Sequence, residues 1–469
     1  MKRPNILLIM ADDLGFSDLG CYGSEIRTPH LDTLADHGIR YTQFYNSARC
    51  CPTRASLLTG LYSHRAGIGH MTRQPYNPHF FENTRPRPAY QGYIHPHTVT
   101  LAEALRPAGY HTCMAGKWHV GSDPGNHPTD RGFDRFYGLI DGSCNYFKPE
   151  PFKQLLDGTL PADTDHDDFY TTDYFSNEAC RYVNEAHPQQ PFFLYLAYTA
   201  PHWPLQAWPE DIDKYKDRYR VGWDLIREER FARQKQLGLF DDSVRLSERD
   251  PECLAWDSLS CRQQDGWAHR MAVYAAMVDR MDQGIGRVVA TLKAKGELEN
   301  TLICFLSDNG ACAESYNNIL NVSAGPADSA TGVWLPWANA SNTPFRLFKH
   351  WPHEGGCCTP FITHWPARIT TPRTERRYFA HVKDLMATCL DLADAPYPTQ
   401  NLGSATPHHD SVSLLPNLLG EASENPEDLI IEHKGNRLLR SGDWKLVSYY
   451  SEPRGYRRHD GGLGQRTAP

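Results

Sequence analysis

Four short apolar runs in this chain each give way to a cluster of charged or amide residues, and that pattern limits the possible folds more than any other feature. Asn5–Met10 leads to Asp12-Asp13, Tyr110–Met114 to Lys117 and His119, Pro191–Tyr198 to His202, and Thr301–Leu306 to Asp308-Asn309. The runs alternate with helical stretches. This predicts an α/β fold, a large, mostly parallel (mixed) sheet with helices on both faces. In such a sheet, sites form outside the carboxyl ends of the strands, so the four polar clusters converge on one edge if the strands are neighbours.

The remaining pattern fills in that frame. Thr28 reads as a helix N-cap, with Pro29 at the first helical position and Gly38 as the stop. A helix starts near Thr100. A long amphipathic helix is expected over Met271–Lys295, with Tyr274, Met277, Met281, Ile285, Val288 and Leu292 at helical spacing and Gly296 closing it. Phe361–Trp365 is a further strand. From Asp428 the short alternating segments predict a small antiparallel meander. The expected division is a catalytic α/β domain over 1–425 and a small C-terminal antiparallel β subdomain over 426–469. The polar, Gly-rich end from Gly455 reads as a truncated or frame-shifted tail that leaves the small sheet with an exposed edge. Gln74–His97 and Glu210–Gln264 read as insertions, and each fits either the rim of a site or plain surface decoration.

Composition removes several classes of function. Of the 469 residues, 40 % are hydrophobic and 22 % charged, enough apolar material to exclude disorder as the main state. A net charge of −8 provides no global basic footprint for nucleic acid. No apolar run approaches the roughly 20 residues of a membrane helix, so no membrane partner is expected. The 13 cysteines are scattered without a CxxC pair, which indicates neither a disulfide framework nor a Cys-rich zinc site. Two vicinal pairs stand out, Cys50-Cys51 and Cys357-Cys358. The start, Met1-Lys2-Arg3-Pro4, is charged like a signal peptide, but the apolar run after it is short and ends on carboxylates. As written, the chain is expected in the cytoplasm; with a leader ahead of it, in the periplasm or outside the cell.

Each polar cluster has an ordinary explanation when taken alone. Asp12-Asp13 fits a helix cap and Asp308-Asn309-Gly310 a tight turn; Lys117-Trp118-His119 fits an amphipathic surface and His202 a loop. Together the acidic clusters supply three carboxylates and an amide oxygen. That is a hard oxygen set suited to Ca²⁺ or Mg²⁺ rather than zinc.

The stretch from Cys50 to Gly60 reads C-x-P-x-R-x-x-x-x-T-G, through Cys50, Pro52, Arg54, Thr59 and Gly60. It resembles the signature of the type I, formylglycine-dependent sulfatases, arylsulfatase-like members of the alkaline-phosphatase-like superfamily. A chance match at five fixed positions is on the order of 10⁻⁴ per chain. The similarity continues through Pro4-Asn5-Ile6, Ala11–Gly15, Gly116-Lys117-Trp118-His119-Val120-Gly121, Pro128–Asp134, Ala200-Pro201-His202-Trp203-Pro204, Ser307-Asp308-Asn309-Gly310, Thr343-Pro344-Phe345-Arg346, Lys349 and Glu354-Gly355-Gly356, in the family's order.

The resemblance implies a sulfuric ester hydrolase. Cys50 would be converted to Cα-formylglycine by a formylglycine-generating maturation enzyme, and Cys51 would be an ordinary thiol. Asp12, Asp13, Asp308, Asn309 and the modified Cys50 would ligate one divalent cation, Ca²⁺ by family expectation. Arg54, Lys117, His119, His202 and Lys349 match the catalytic cations and acid/base groups, and Ser143 is a candidate sulfate contact. The substrate would be an aryl sulfate or a sulfated saccharide. A sulfate ester needs a cation on its oxygens, a strong nucleophile and a proton for the leaving oxygen. A hydrated aldehyde supplies one hydroxyl to attack and another to release sulfate by C–O cleavage. Cys357-Cys358 departs from the family pattern, where it bears on substrate contacts or is simply a small buried pair where a strand begins. A phosphate or phosphonate ester hydrolase of the same superfamily, and a non-catalytic sulfate-binding relative, stay open as alternatives.

Overall fold

Asn5–Ala11 is buried at every position and forms the central strand, β1, of the computed structural model, which describes residues 3–72, 87–314, 323–423, 425 and 428–450. The other strands of the main sheet are β2 (Ile39–Tyr45), β3 (His111–Gly116), β4 (Arg135–Leu139), β5 (Leu155–Asp157), β6 (Leu160–Pro161), β7 (Phe192–Ala197), β8 (Thr301–Ser307), β9 (Cys358–His364), β10 (Arg373–Glu375) and β11 (Ala380–His381). Their order is β10-β2-β9-β8-β1-β7-β3-β4-β5-β6, with β11 also on β2. β8, β1, β7 and β3 run parallel as neighbours. β9 lies antiparallel between β8 and β2, so the sheet is mixed, as expected.

Helices cover both faces because successive β1 side chains point to opposite sides. Leu7 and Ile9 join one apolar core, and Ile6, Leu8 and Met10 the other. The first core packs under α1 (Pro29–Asp36), α4 (Thr171–Glu185) and α7 (Cys261–Ala294), and the second under α2 (Cys50–Thr59), α3 (Leu101–Leu105) and α10 (Asp384–Ala393). The remaining helices are α5 (Pro209–Asp213), α6 (Gly222–Gln236), α8 (Trp334–Ser341), α9 (Glu354–Cys357) and α11 (Leu415–Leu418). β12 (Gln400–Asn401) pairs with β13 (Ser404–Ala405). The expected meander is β14 (Asp428–His433), β15 (Asn436–Ser441) and β16 (Trp444–Ser448). Its inner residues Leu429, Ile431 and Leu438 join the first core, while Trp444 and Leu446 on β16 are exposed. The expected tail from Gly455 and residues 74–86 of the expected insertion lie outside the described residues.

Several local expectations shift. α7 begins at Cys261, ahead of Met271, because Ser260 and Gln263 form a capping box and the first turns are polar, carrying no apolar period. Thr28 does precede α1, but its hydroxyl donates to Asp32 and accepts from Gly20. The N–H groups of His30 and Leu31 instead donate to Asp282 of α7. The charged segment Glu210–Gln264 is more than decoration, since α6 buries Trp223, Ile226 and Arg230, the last paired with Asp18 and Glu25. Cys357 and Cys358 are buried where α9 passes into β9, and all 13 cysteines are free thiols. Among the described residues no helix is long and apolar enough to cross a membrane.

Candidate active site

Because β8, β1, β7 and β3 are neighbours, their carboxyl ends deliver four polar clusters to one edge. Asp12 and Asp13 follow β1, Lys117 and His119 follow β3, His202 follows β7, and Asp308-Asn309 follow β8. Cys50 and Arg54 come from the first turns of α2, and Lys349 from the loop before α9. Every one of these side chains is buried, His202 being the most open at 7 %.

Charge pairing joins the clusters. Arg54 donates to Asp308 Oδ2 from Nε (3.0 Å) and Nη2 (2.7 Å), and from Nη1 to the Lys117 carbonyl (2.9 Å). Lys117 Nζ lies 2.5 Å from Asp12 Oδ2, and Lys349 Nζ lies 2.7 Å from Asp13 Oδ1. Asn309 Nδ2 donates to the same Asp13 oxygen at 2.6 Å. His202 Nε2 is 3.4 Å from Asp13 Oδ2, while its Nδ1 is 2.6 Å from the Trp203 carbonyl.

Three oxygens are left over. Asp12 Oδ1, Asp13 Oδ2 and Asn309 Oδ1 are buried with no hydrogen-bond partner among the described residues. Such a group costs about 1–3 kcal/mol unless something satisfies it. Two carboxylate oxygens and an amide oxygen on neighbouring strand ends are hard donors, so the residues present fit a hard divalent cation.

The backbone is held in unusual conformations at two of these positions. Asp13 (φ 68°) and His119 (φ 56°) both lie in the left-handed region, which costs a non-glycine residue about 1–3 kcal/mol and persists only where surrounding contacts hold it. Gly116 must be glycine, since a Cβ there would lie 1.9 Å from the Ala197 carbonyl oxygen on β7. Gly142 leaves room for the imidazole of His119, because a Cβ would sit 2.5 Å from Cε1 and 2.6 Å from Nε2. Ser143, the candidate sulfate contact, is the half-buried residue next to it.

The electrostatics follow from burial and these pairings. A hydrogen bond from Cys51, then the nearby Lys117, His119 and Lys349, hold the Cys50 thiol well below the ordinary thiol range against its burial. Burial pushes His119 down to about 4 and His202 to about 3, so both imidazoles are neutral at pH 7. Burial beside Asp308 raises Asp12. Burial alone would raise Asp13 as well, but Lys349 and His202 outweigh it and the carboxyl sits below its usual range.

Other residues near the site carried no sequence signal. Arg49, just ahead of Cys50, pairs with Glu314. His350 donates its backbone N–H to the Ala48 carbonyl at 2.8 Å, and its ring lies 4.9 Å from that of His433 on β14. His70 stands 5.4 Å from His433. Only the adjacency of His350 to Lys349 and of Arg49 to Cys50 could have pointed to them. Cys51, read as an ordinary thiol, has its Sγ 3.3 Å from His119 Nε2.

Known proteins resemble this chain along most of its length. An uncharacterised sulfatase of Schizosaccharomyces pombe is 38 % identical over 424 residues, 85 % of this chain and 76 % of the relative. An arylsulfatase of Klebsiella aerogenes is 36 % identical over 397 residues, 78 % of this chain and 81 % of the relative. The structure of Ps i-CgsB in complex with k-i-k-neocarrahexaose superposes with a TM-score of 0.66 at 27 % identity, covering 96 % of this chain and 85 % of that one. The family model Sulfatase matches residues 4–395, and the chain belongs to that family of sulfuric ester hydrolases.

Proposed function

We propose that this chain hydrolyses sulfate monoesters, aryl or carbohydrate, through a Cα-formylglycine derived from Cys50 and one divalent cation. The observation that carries the reading is the position of Cys50, at the start of α2 with Lys117, His119 and Lys349 close enough to act on its thiol and with Arg54, four residues on, tied to Asp308. Asp12, Asp13, Asp308, Asn309 and residue 50 would hold the cation, Ca²⁺ by family expectation with Mg²⁺ as the other hard candidate. That ion would polarise the sulfuryl oxygens and acidify the attacking hydroxyl. The aldehyde hydrate supplies the nucleophile and the means of releasing sulfate.

The chain's own residues account for the rest. Lys117 and Lys349 bind sulfate as point charges, and Arg54 holds the Asp308 carboxylate and the hydrated residue 50 in place. Neutral His119 accepts a proton from the second hydroxyl at residue 50. Lys349, which is charged at rest, delivers a proton to the departing oxygen together with His202 beside it. The N-terminus of α2 faces the anion with its unpaired N–H groups. An aryl leaving group is supported by the arylsulfatase relative, and a saccharide by the neocarrahexaose held by Ps i-CgsB.

The test compares 4-nitrophenyl sulfate and a sulfated hexosamine with 4-nitrophenyl phosphate and a phenylphosphonate ester. It uses protein whose Cys50 peptide mass shows conversion. Sulfate esters are expected to turn over faster, with activity lost on chelation and restored by Ca²⁺. Cys50→Ala should be folded and inactive; full activity in that variant would sink the mechanism. Faster turnover of the phosphorus esters would support the phosphoester alternative, and converted protein that binds but never cleaves sulfate esters would support the non-catalytic one.

A further inference from the structure

The reaction proposed above makes no use of Cys51, yet this fully buried thiol faces the site. Sγ of Cys50, Sγ of Cys51 and a ring nitrogen of His119 lie within 4.8 Å of one another. We infer that, until Cys50 is oxidised, Cys50, Cys51 and His119 form a second cation site beside the hard one, a soft site of the class that takes Zn²⁺. This rests on the reading of Cys50 as the precursor of the nucleophile.

The geometry suits such an ion. A tetrahedral zinc with bonds of about 2.3 Å to sulfur and about 2.0 Å to nitrogen has an S···N edge of about 3.5 Å. Cys51 Sγ and His119 Nε2 are already 3.3 Å apart. Gly142 leaves the imidazole its place, and Nδ1 of His119 has no partner among the described residues, so no other contact claims the ring. Each thiol gives up its proton as its sulfur–metal bond forms, and the two thiolates balance the charge of the ion. A neutral complex is tolerable in a pocket that also holds Arg54, Lys117 and Lys349, where a bare cation would be repelled. The carboxylate set nearby prefers Ca²⁺ or Mg²⁺, so the two ions sort by hardness rather than compete.

Oxidation of Cys50 to an aldehyde removes one sulfur and leaves only Cys51 and His119. The soft site therefore exists only in the unconverted chain. A Zn²⁺ ion bound there occupies the thiol that maturation has to oxidise and the imidazole that catalysis uses. It would hold a folded, unprocessed chain inert.

Cobalt(II) serves as the probe, because thiolate ligation produces a near-ultraviolet sulfur-to-cobalt absorption that oxygen ligation does not. The chain is made without the maturation enzyme, with the exposed Cys261 replaced (Cys261→Ser), and saturated with Ca²⁺. The expected result is a sulfur-to-cobalt band abolished by added Zn²⁺, and about halved with at least tenfold weaker Co²⁺ binding both in Cys51→Ser and in converted protein, each of which keeps a single sulfur. Circular dichroism verifies that Cys51→Ser is folded. In the unvaried chain, Zn²⁺ should also slow alkylation of the Cys50-Cys51 peptide. No band in the unconverted chain, an unchanged band in Cys51→Ser, or alkylation indifferent to Zn²⁺ overturns the inference. Sulfate ester turnover by converted protein is read separately. Turnover without the band removes only the soft site, and the band without turnover removes only the proposed function.

Discussion

Nε and Nη2 of Arg54 both donate to a single oxygen of Asp308, at 3.0 and 2.7 Å, while Nη1 of the same side chain reaches the carbonyl of Lys117. One buried guanidinium thus ties the first turns of α2 to the ends of β8 and β3. The position of Cys50 relative to the acidic cluster depends on that tie.

Arg54→Lys retains the charge but loses the fork that makes these three bonds. The Lys117 carbonyl and one Asp308 contact are left unsatisfied, a cost of about 1–3 kcal/mol in urea-denaturation stability. Turnover of an aryl sulfate by converted protein should fall roughly 10²-fold through misplacement of residue 50. A variant with unchanged kcat/KM would show that the tie is structural only.

His202→Ala should lose activity in proportion to how badly the leaving group needs a proton. With a sulfated sugar, whose alcohol is a poor leaving group, the loss should be roughly 10²–10⁴-fold. With an activated nitrophenyl sulfate it should be much smaller. Equal losses on the two substrates would remove His202 from the proton-donor role.

Gly142→Ala places a methyl 2.5 Å from the His119 ring, whose side chain can tilt away. Stability should therefore change little, while kcat falls roughly 10²-fold from a displaced base. The thermal midpoint and kcat measured on one preparation separate these effects.

Acid should destabilise the fold through the imidazoles beside the site. Burial pushes His70 and His350 down to about 3 and His433 well below its usual value. In the unfolded chain each titrates near 6.5, so the stability they contribute is present above that pH. It is lost as pH falls toward 3, because only the unfolded chain then takes up the proton. The slope is about 1.4 kcal/mol per pH unit for each histidine. Urea denaturation between pH 7.5 and 5 should show it, with a shallower slope in His433→Gln.

Elements with a local signal were legible in the sequence, and those that depend on partners were not. β1 and β8 were visible because Ile6–Ala11 and Leu302–Leu306 are unbroken apolar runs, and α3 because Leu101, Ala104 and Leu105 follow Thr100 at helical spacing. The first turns of α7 were not, since Arg262, Gln263 and Gln264 carry no apolar period; their helix is set by the cap at Ser260. Thr28 does hold the N-cap position of α1, but the acceptor for the first N–H groups, Asp282, lies on another helix far along the chain and left no local trace.

The same division runs through the site. Residue identities around Cys50, Lys117, His202 and Asp308 were readable because short motifs record them, and the strand-end positions followed from where the apolar runs stop. That these ends are adjacent was decided by the order β8-β1-β7-β3, which rests on pairings between residues far apart in the chain, such as Ile6 with Leu302 and His111 with Phe192. The Arg49–Glu314 pair, the arrival of His433 from β14 beside His350, and the Cys51–His119 contact were decided in the same way. Periodicity and caps act within a few turns of chain and so leave a local trace. A contact closed across a long loop is selected by packing of the whole sheet, and no local pattern encodes it.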